Sequence, residues 1–312
     1  MSPPTDDAER SATDGGTAET ATGTEAETEA ATVRRSSNTF LGDAWVNFKR
    51  WTTKSVRNPF VLVVSLAQPI IFLILFTQVF GQVATGAISG PGGASISYET
   101  YLVPAIVIQV ALAAAITSGI GLVNDIEEGM FEKVLVTPMS RTAVFAGKTA
   151  AEVVRIIAQM SIILVLGVLL GADIATGLPG AVGIIVVGLL FSLWFVSLSN
   201  AIAVITKDQE STIITMNLLQ FPLLFLSSAF LPLESLPNWI QTFARYNPIT
   251  YGVDAARALM LDADVMTVLD VNAFTGLWNA VIPGAAVLVV LDIALGSIEV
   301  YLLTQASSSS AQ

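Results

Sequence analysis

The amino-acid sequence predicts an all-α integral membrane protein with six transmembrane helices, an N-terminal interfacial amphipathic helix and a short outer re-entrant helix before the last span. Only 12% of the 312 residues are charged and 53% are hydrophobic, and the mean hydropathy is +0.70. Soluble domains carry about 25% charged residues. The charges are also unevenly distributed, which leaves several uncharged stretches that are long enough to cross a bilayer.

Six of these stretches are predicted to span the membrane. An α-helix rises about 1.5 Å per residue, so about 20 apolar residues cover the roughly 30 Å of hydrocarbon. The third stretch is the shortest, and it spans if the Arg155 side chain extends to the membrane surface. The predicted spans lie at about residues 60–80, 101–123, 156–172, 180–205, 211–233 and 278–303.

The distribution of lysine and arginine predicts that the N-terminus is cytoplasmic. With this orientation, 12 of the 14 basic residues fall on the cytoplasmic side, and only Arg245 and Arg257 fall outside. The opposite orientation would place the same 12 residues outside. We therefore expect a multi-pass protein of the cell membrane with a cytoplasmic N-terminus.

Residues 1–39 are predicted to form a disordered acidic cytoplasmic tail, and residues 40–312 the transmembrane domain. Residues 1–33 contain eight acidic residues and a single arginine, and most of the others are Ala, Thr, Gly and Ser. Such a composition buries too little apolar surface to offset the entropy lost on ordering. A halophilic source and a merely solubilising tail both account for the acidity.

Two further segments are predicted to be helices that do not span. In residues 40–51, apolar residues recur at helical spacing between polar and basic ones, which suits a helix in the inner interface. Residues 236–244 form a short helix on the outer side, bounded by prolines, which could dip back into the bilayer. The residues assigned to this outer re-entrant helix are Leu236, Pro237, Trp239, Ile240 and Phe243.

The composition excludes several kinds of active site. Because cysteine and histidine are absent, no disulfide, zinc site, thiol nucleophile or histidine base is expected. The segment Gly147-Lys148-Thr149 resembles the end of a phosphate-binding P-loop, but Thr142 stands where the first glycine is required. We therefore predict that the chain is not an enzyme and that it holds no metal or cofactor of its own.

Polar residues inside the predicted spans are candidates for the lining of a transport pathway. Asp292 is the only carboxylate well inside a predicted span, provided that the last span continues to about Leu303. A carboxylate at the membrane centre costs about 2.5–3.5 kcal/mol on insertion, so it normally faces protein or water. Either Asp292 lies on the substrate path, or the span ends at about residues 291–295 and Asp292 reaches the interface. The pathway candidates are Gln68, Gln109, Asn217, Gln220 and Asp292.

Gly167 and Gly171 form a Gly-xxx-Gly pair in the third predicted span. Such pairs allow helices to approach closely, and packing within the monomer is favoured here over a seam between two copies.

The inner loop between the second and third spans is predicted to contain a docking helix for a cytoplasmic partner. Acidic residues cluster at its start, where a helix dipole favours them, and Pro138 would end the helix. A solvated helical loop without a partner is the alternative. The predicted docking residues are Glu127, Glu128, Gly129, Met130, Phe131, Glu132, Val134 and Leu135.

Two blocks of the sequence resemble ABC-2 type transporter permeases, and the drug-resistance (daunorubicin-exporter-like) branch is the best match. The first block is the inner loop, with Glu127-Glu128-Gly129, Thr137-Pro138 and Gly147-Lys148. The second and more specific block precedes the last span. Its residues are Phe230-Leu231-Pro232-Leu233, Leu236-Pro237, Trp239, Phe243, Asn247-Pro248, Thr250-Tyr251, Asp254 and Arg257. The sequence departs from the family pattern by lacking basic residues after the last span and by placing Asp292 inside that span.

The resemblance implies the permease subunit of an ATP-driven exporter. Two permease copies, identical or related, would pair in the bilayer above two separate ATP-binding subunits, which would bind ATP and Mg. The inner loop would be the coupling helix that seats in the ATPase, and the Trp239 helix would lie near the exit gate. The cargo would be hydrophobic, amphipathic or lipid-linked, and no nucleic acid is expected as a partner.

Two other classes of function remain open from the sequence. An ion-coupled secondary transporter would use Asp292, although no internal repeat supports it. A non-transporting membrane scaffold would need neither a docking loop nor an outer helix.

Overall fold

The described part of the chain is a bundle of α-helices. The structure, a computed structural model, describes residues 40–57, 59–84, 96–129, 141–269 and 274–309, and these contain no β-strand. Residues 1–39, for which a disordered tail is predicted, lie outside the described residues. The helices are α1 (Phe40–Arg57), α2 (Pro59–Ala84), α3 (Tyr98–Glu127), α4 (Arg141–Leu169), α5 (Gly177–Thr206), α6 (Gln209–Phe225), α7 (Asn238–Ala244), α8 (Pro248–Leu261) and α9 (Trp278–Ser309), with a 3₁₀ turn at Leu233–Ser235.

Helix α3 forms the centre of the bundle. It packs against α2, α4, α5, α6 and α8, and 78% of its apolar stretch is buried. A helix that is apolar on every side is typically buried, because each of its faces must pack against other apolar groups to stay out of water. The apolar stretches of α2 and α9 are only 17% and 11% buried, so most of their apolar side chains face outward, as expected for contact with lipid.

Five of the described helices are long and apolar enough to cross a membrane by their length and composition. Their apolar stretches are Val63–Gly81, Tyr98–Glu127, Ala146–Leu169, Gly177–Thr206 and Trp278–Leu302. The sixth predicted span coincides with α6, which has only 17 residues. The prediction of an all-helical, multi-pass chain is confirmed, whereas the count of six spans stays a prediction.

Helix α6 ends at Phe225, so the predicted extent of this span to residue 233 is wrong. The cause is the Ser227 side chain, which competes for backbone hydrogen bonds at the end of the helix. The Ser227 hydroxyl donates to the Leu224 carbonyl at 2.7 Å and accepts from the Ala229 amide at 3.2 Å. A side chain that supplies these bonds offers the backbone an alternative to the helix, and hydropathy does not register it.

The third predicted span is displaced along the chain. Helix α4 is already apolar from Ala146 and ends at Leu169, and Gly171 lies beyond it with a φ of +106°. A β-carbon at Gly167 would collide with Val103 of α3, so glycine permits this close helix contact. Packing within the monomer is therefore confirmed for Gly167, whereas the expectation that Gly171 lies in the same helix is wrong.

Both predicted non-spanning helices are present. Helix α1 continues to Arg57, beyond the predicted end at Trp51, and it packs along α4. Helix α7 begins at Asn238, so Leu236 and Pro237 precede the helix to which they were assigned, because Pro237 occupies its N-cap position. The helix ends at Ala244, before Pro248, as predicted. Their placement at the inner interface and in the outer leaflet stays a prediction.

Candidate functional site

The second sequence block folds around the turn that follows α6. Asn247 joins the two helices on either side of this block. Its side-chain amide donates to the carbonyls of Leu223 and Leu226 at 2.5 and 2.9 Å, which satisfies the end of α6. Its side-chain oxygen accepts from the Ile249 amide at 3.0 Å, which caps the start of α8. Pro248 occupies the first turn of α8, where a missing N–H group costs nothing.

Arg257 and Asp254 form a buried ion pair at the same turn, with 2% and 0% of their side chains exposed. The guanidinium lies 3.4 Å from the Asp254 carboxylate. It also donates to the carbonyls of Tyr101, Ser228 and Ala229 at 3.3, 3.0 and 3.3 Å. One side chain of α8 therefore holds the turn after α6 against the first part of α3.

Besides Arg257 of the same helix, Asp254 receives donors from two other segments of the chain. Ser228 donates its hydroxyl at 2.8 Å, and Thr267 donates its amide and hydroxyl at 2.9 and 2.6 Å. Burial raises the pKa of the Asp254 carboxyl above its ordinary value, and Arg257 together with these donors opposes that rise. The carboxylate thus fastens the chain that leaves α8 to the turn after α6.

Aromatic side chains complete this outer cluster. The Arg257 guanidinium lies over the Tyr101 ring, 3.7 Å from its centroid. The Tyr98 hydroxyl donates to the Phe230 carbonyl at 3.1 Å, and the Phe230 ring stacks on Phe76 of α2 at 4.6 Å between centroids. We call Tyr98, Tyr101, Ser228, Phe230, Asn247, Asp254 and Arg257 the outer cluster.

Tyr251, another residue of this block, acts at the connection between α7 and α8. Its hydroxyl donates to the Arg245 carbonyl at 2.6 Å, and burial raises the pKa of the Tyr251 phenol. Helix α7 itself is held loosely, since Ala244 is its only buried residue. Trp239 and Phe243 are 59% and 62% exposed and lie edge to face, whereas Leu236 and Ile240 are half-buried. Two large exposed aromatic rings suit a membrane–water boundary.

A second buried ion pair lies at the opposite end of α3, where the inner loop leaves and re-enters the bundle. Lys148 of α4 pairs with Asp125 of α3, and both side chains are at least nine-tenths buried. The Lys148 ammonium also lies 5.3 Å from the centre of the Trp51 ring of α1. A β-carbon at Gly147 would lie 2.5 Å from the Ala44 carbonyl oxygen, so α1 and α4 approach closely only because glycine is there.

Helix α6 joins the same place through Gln209, whose side-chain amide donates to Asn124 and, at 3.2 Å, to Glu127. We call Trp51, Asn124, Asp125, Lys148 and Gln209 the inner junction. It connects four helices at the base of the inner loop. The Gly147-Lys148 pair therefore has a packing and charge role, which the comparison with a P-loop did not suggest.

The start of the predicted docking helix is wrong. Glu127 is the last residue of α3, and Glu128 and Gly129 end that helix, with Gly129 at a φ of +64°. These acids therefore lie at the C-terminal end of a helix. The helix dipole favours acids only at the N-terminal end, so the predicted stabilisation does not apply. Glu127 and Glu128 are exposed. Met130, Phe131, Glu132, Val134 and Leu135 lie outside the described residues.

The five pathway candidates are not brought together by hydrogen bonds within the described part of the chain. Gln109 and Gln220 are buried, and Gln68, Asn217 and Asp292 are half-buried. Both polar atoms of the Gln109 side chain and one of Gln220 lack a partner among the described residues. Helix α9 continues unbroken past Asp292 and stays apolar to Leu302, so a span that ends at residues 291–295 is not supported.

Two carboxylates in the apolar stretches were missed from the sequence, so Asp292 is not the only one. Glu152 accepts from Ser118 at 2.8 Å, and Glu299 accepts from Asn200 at 2.7 Å. They line a cavity of about 170 Å³ together with Lys148. Glu152 was missed because α4 is apolar from Ala146, before the predicted start of the third span at residue 156. Glu299 lies near the end of the predicted last span, beyond the stretch without charge.

Comparison with known proteins identifies the family of the chain. The family profile described as ABC-2 type transporter matches residues 43–261, which include both the inner junction and the outer cluster. The chain belongs to the ABC-2 type transporter family. The predicted resemblance is thereby confirmed.

Individual relatives agree with this family. The chain is 29% identical to the daunorubicin resistance ABC transporter permease protein DrrB1 of Streptomyces coeruleorubidus, over 65% of this chain and 69% of the relative. It is 29% identical to the putative transport permease ycf38 of Cyanophora paradoxa, over 70% and 74%. It is 24% identical to the probable doxorubicin resistance ABC transporter permease protein DrrC of Mycobacterium tuberculosis, over 73% and 80%.

These ABC-2 relatives are permeases, which are the transmembrane and non-catalytic components of transporters, and the family normally pairs with an ATP-binding subunit. In this ABC-2 permease, several residues that carried the resemblance, among them Gly147, Asn247 and Arg257, are hydrogen-bonding or packing centres. The outer cluster and the inner junction each hold one end of α3 to its neighbours.

Removal of Arg257 is expected to destabilise the ABC-2 fold strongly. Arg257→Met leaves Asp254 as a buried carboxylate without its cation, and breaking a buried pair in this way costs about 3–5 kcal/mol. Arg257→Lys should recover only part of this loss, because one ammonium cannot reach the three carbonyls that the guanidinium contacts. The measurement is the melting temperature of the purified protein in detergent, with exposed Arg245→Gln as the matched control. Equal melting temperatures for Arg257→Met and Arg245→Gln would contradict this account.

Proposed function

We propose that the chain is the permease subunit of an ATP-driven exporter, which moves a hydrophobic, amphipathic or lipid-linked substrate out of the cytoplasm. The observation that carries the proposal is the family match over residues 43–261, which covers the inner loop and the outer block together. Two of the relatives are named as drug-resistance permeases. Membership of the ABC-2 family also favours this function over an ion-coupled transporter or a scaffold.

The energy source in this proposal is a partner protein. ATP and Mg are bound by a separate ABC ATP-binding subunit, since the Gly147-Lys148-Thr149 segment lies inside α4 and lacks the first glycine of a P-loop. The inner loop that follows α3, with residues 130–135, is the coupling element in this scheme. Residues 40–312 act as one transmembrane domain, and residues 1–39 are an accessory tail.

The inner junction supports a mechanical role for the inner loop. A displacement of the loop moves Asp125 on one side and Lys148 on the other, and their buried ion pair keeps α3 and α4 together. Trp51 and Gln209 pass the same displacement to α1 and α6. Because a packed interior is stiff, a shift at this base reaches the pathway helices rather than being absorbed locally.

On the outer side, we propose that α7 is the re-entrant helix beside the exit gate, and that a second permease copy completes the pathway. The weak attachment and exposed aromatic rings of α7 support a mobile element at a lipid boundary. Both polar atoms of the buried Gln109 side chain and one of Gln220 lack a partner among the described residues, and they are suited to contact the polar part of an amphipathic cargo.

The orientation is tested by labelling single cysteines in this cysteine-free sequence with a membrane-impermeant thiol reagent. With a cytoplasmic N-terminus, Asn238→Cys in α7 should be labelled in intact cells, and Glu128→Cys should be labelled only after permeabilisation. Both positions are exposed, so access to the reagent depends on the membrane alone. Labelling of Glu128→Cys in intact cells would overturn the proposed orientation.

The coupling role of the inner loop is tested with two single variants. Truncating a buried anchor of an interface typically costs over 2 kcal/mol, whereas a rim charge costs less. Phe131→Ala should therefore weaken the interaction with the ATP-binding subunit by more than about 30-fold, and exposed Glu127→Ala should weaken it far less. The measurements are co-purification of the ATPase and ATP turnover of the complex. If Phe131→Ala and a Glu128/Glu132 double substitution both leave these unchanged, the loop is not the coupling element.

The ion pair at the inner junction is tested by charge exchange. Lys148→Asp places two carboxylates together and should lower the permease-dependent stimulation of ATP turnover by on the order of tenfold. The double variant Asp125→Lys/Lys148→Asp restores opposite charges and should recover part of the stimulation while ATPase co-purification stays normal. No difference between the single and double variants would show that the charge pair does not transmit movement.

A further inference from the structure

One side of α1 presents a basic surface that the proposed exporter mechanism does not use. Helix α1 turns Asp43 and Asn47 towards α4 and buries them. Its other side carries seven residues that line a shallow groove along the helix. These are Trp45, Val46, Lys49, Arg50, Thr53, Lys54 and Arg57. We call this set the α1 groove.

All four basic side chains of the α1 groove are exposed, and the groove contains no acidic residue. Arg50, Lys54 and Arg57 are spaced by four and three residues, which places them in one row along the helix. The ion pairs formed among the described residues are Lys148–Asp125 and Arg257–Asp254. The positive charge of the row is therefore not neutralised by any acid in the described part of the chain.

An apolar row flanks one edge of the α1 groove, next to Lys49. Leu41, Trp45 and Val56 are 77%, 64% and 67% exposed, and their spacing places them on one side of α1. The next described helix after Arg57 begins at Pro59 and carries the first apolar stretch, so α1 ends at the entry to the bilayer. A groove with apolar side chains along one edge and basic side chains along the other fits the boundary between acyl chains and headgroups.

We propose that the α1 groove binds the phosphate headgroups of anionic phospholipids in the inner leaflet. Charge complementarity selects a negatively charged headgroup, and the adjoining apolar row selects a lipid rather than a soluble anion. Arginine holds phosphate with two parallel hydrogen bonds and lysine with a point charge, so the row contains both kinds of donor. This inference depends on membrane insertion and is independent of any ATPase partner.

The binding site would also affect the bundle. Trp51 joins the α1 groove to the inner junction. Its ring centre lies 4.8 Å from the Lys54 ammonium and 5.3 Å from the Lys148 ammonium. A headgroup that engages Lys54 thus fixes α1 against α4. Anionic lipid is therefore expected to stabilise the folded protein, and a zwitterionic lipid of the same chain length is expected to do so much less.

The test compares dioleoyl phosphatidylglycerol with dioleoyl phosphatidylcholine on the purified full-length chain in detergent. Native mass spectrometry gives the apparent dissociation constant of each lipid, and the melting temperature gives the stabilisation. Each basic residue near an anionic surface contributes roughly fivefold to binding, so Lys49→Gln/Arg50→Gln should lose on the order of twentyfold in phosphatidylglycerol affinity. Its phosphatidylcholine affinity and its melting temperature without lipid should match those of the unmodified protein.

Two controls make the outcome specific. Lys207→Gln/Arg245→Gln removes the same charge from two other exposed positions and should keep the preference for phosphatidylglycerol. Lys49→Arg/Arg50→Lys keeps the charge and should also keep it. Equal affinity of the unmodified protein for both lipids overturns the proposal. The proposal is also overturned if the preference for phosphatidylglycerol appears only after residues 1–33 are deleted. The acidic tail would then be the occupant of the groove in the full-length chain.

Discussion

A guanidinium has five N–H groups and a full charge. It can be buried in an apolar bundle only where hydrogen-bond acceptors surround it. Arg257 meets this requirement with the Asp254 carboxylate, three backbone carbonyls and the face of Tyr101. Those acceptors belong to α3, α8 and the turn after α6. One side chain of α8 consequently holds the turn after α6 and the outer end of α3 together, and the packing of this part of the bundle depends on it.

The inner end of α3 is built on the same principle with different residues. Lys148 and Asp125 form the buried pair there, and Trp51 and Gln209 bring in α1 and α6. The central helix is therefore held by a buried charge pair at each end and by apolar packing between them. Burying a charge costs desolvation free energy. In return, a buried pair favours the one arrangement of the helices in which its two charges meet. In our proposal, such an arrangement suits a bundle that must move as connected parts when a partner pushes on its inner loop.

Several residues that carry the family resemblance stabilise the fold. Asn247 caps two helices, Gly147 permits a helix contact and Arg257 closes the outer turn. None of these roles selects a cargo. Family membership therefore determines the architecture, whereas the choice of substrate has to come from other positions, among them the buried amides and the carboxylates of α4 and α9.

The sequence by itself determined the helical class, the approximate spans, the bounded helix α7 and the family, because hydropathy, proline positions and motif spacing are local properties of the chain. It misplaced the end of α6 and the start of the docking segment, and it overlooked Glu152 and Glu299. The end of α6 follows from bonds of the Ser227 hydroxyl that hydropathy does not register, and the docking segment was misplaced because α3 continues to Glu127. Glu152 and Glu299 bind side chains of other helices, Ser118 and Asn200, and no local pattern indicates those contacts. Only the tertiary structure decided that Arg257 pairs with Asp254 and that Lys148 pairs with Asp125, since a charged residue in a sequence does not indicate which partner will offset its desolvation.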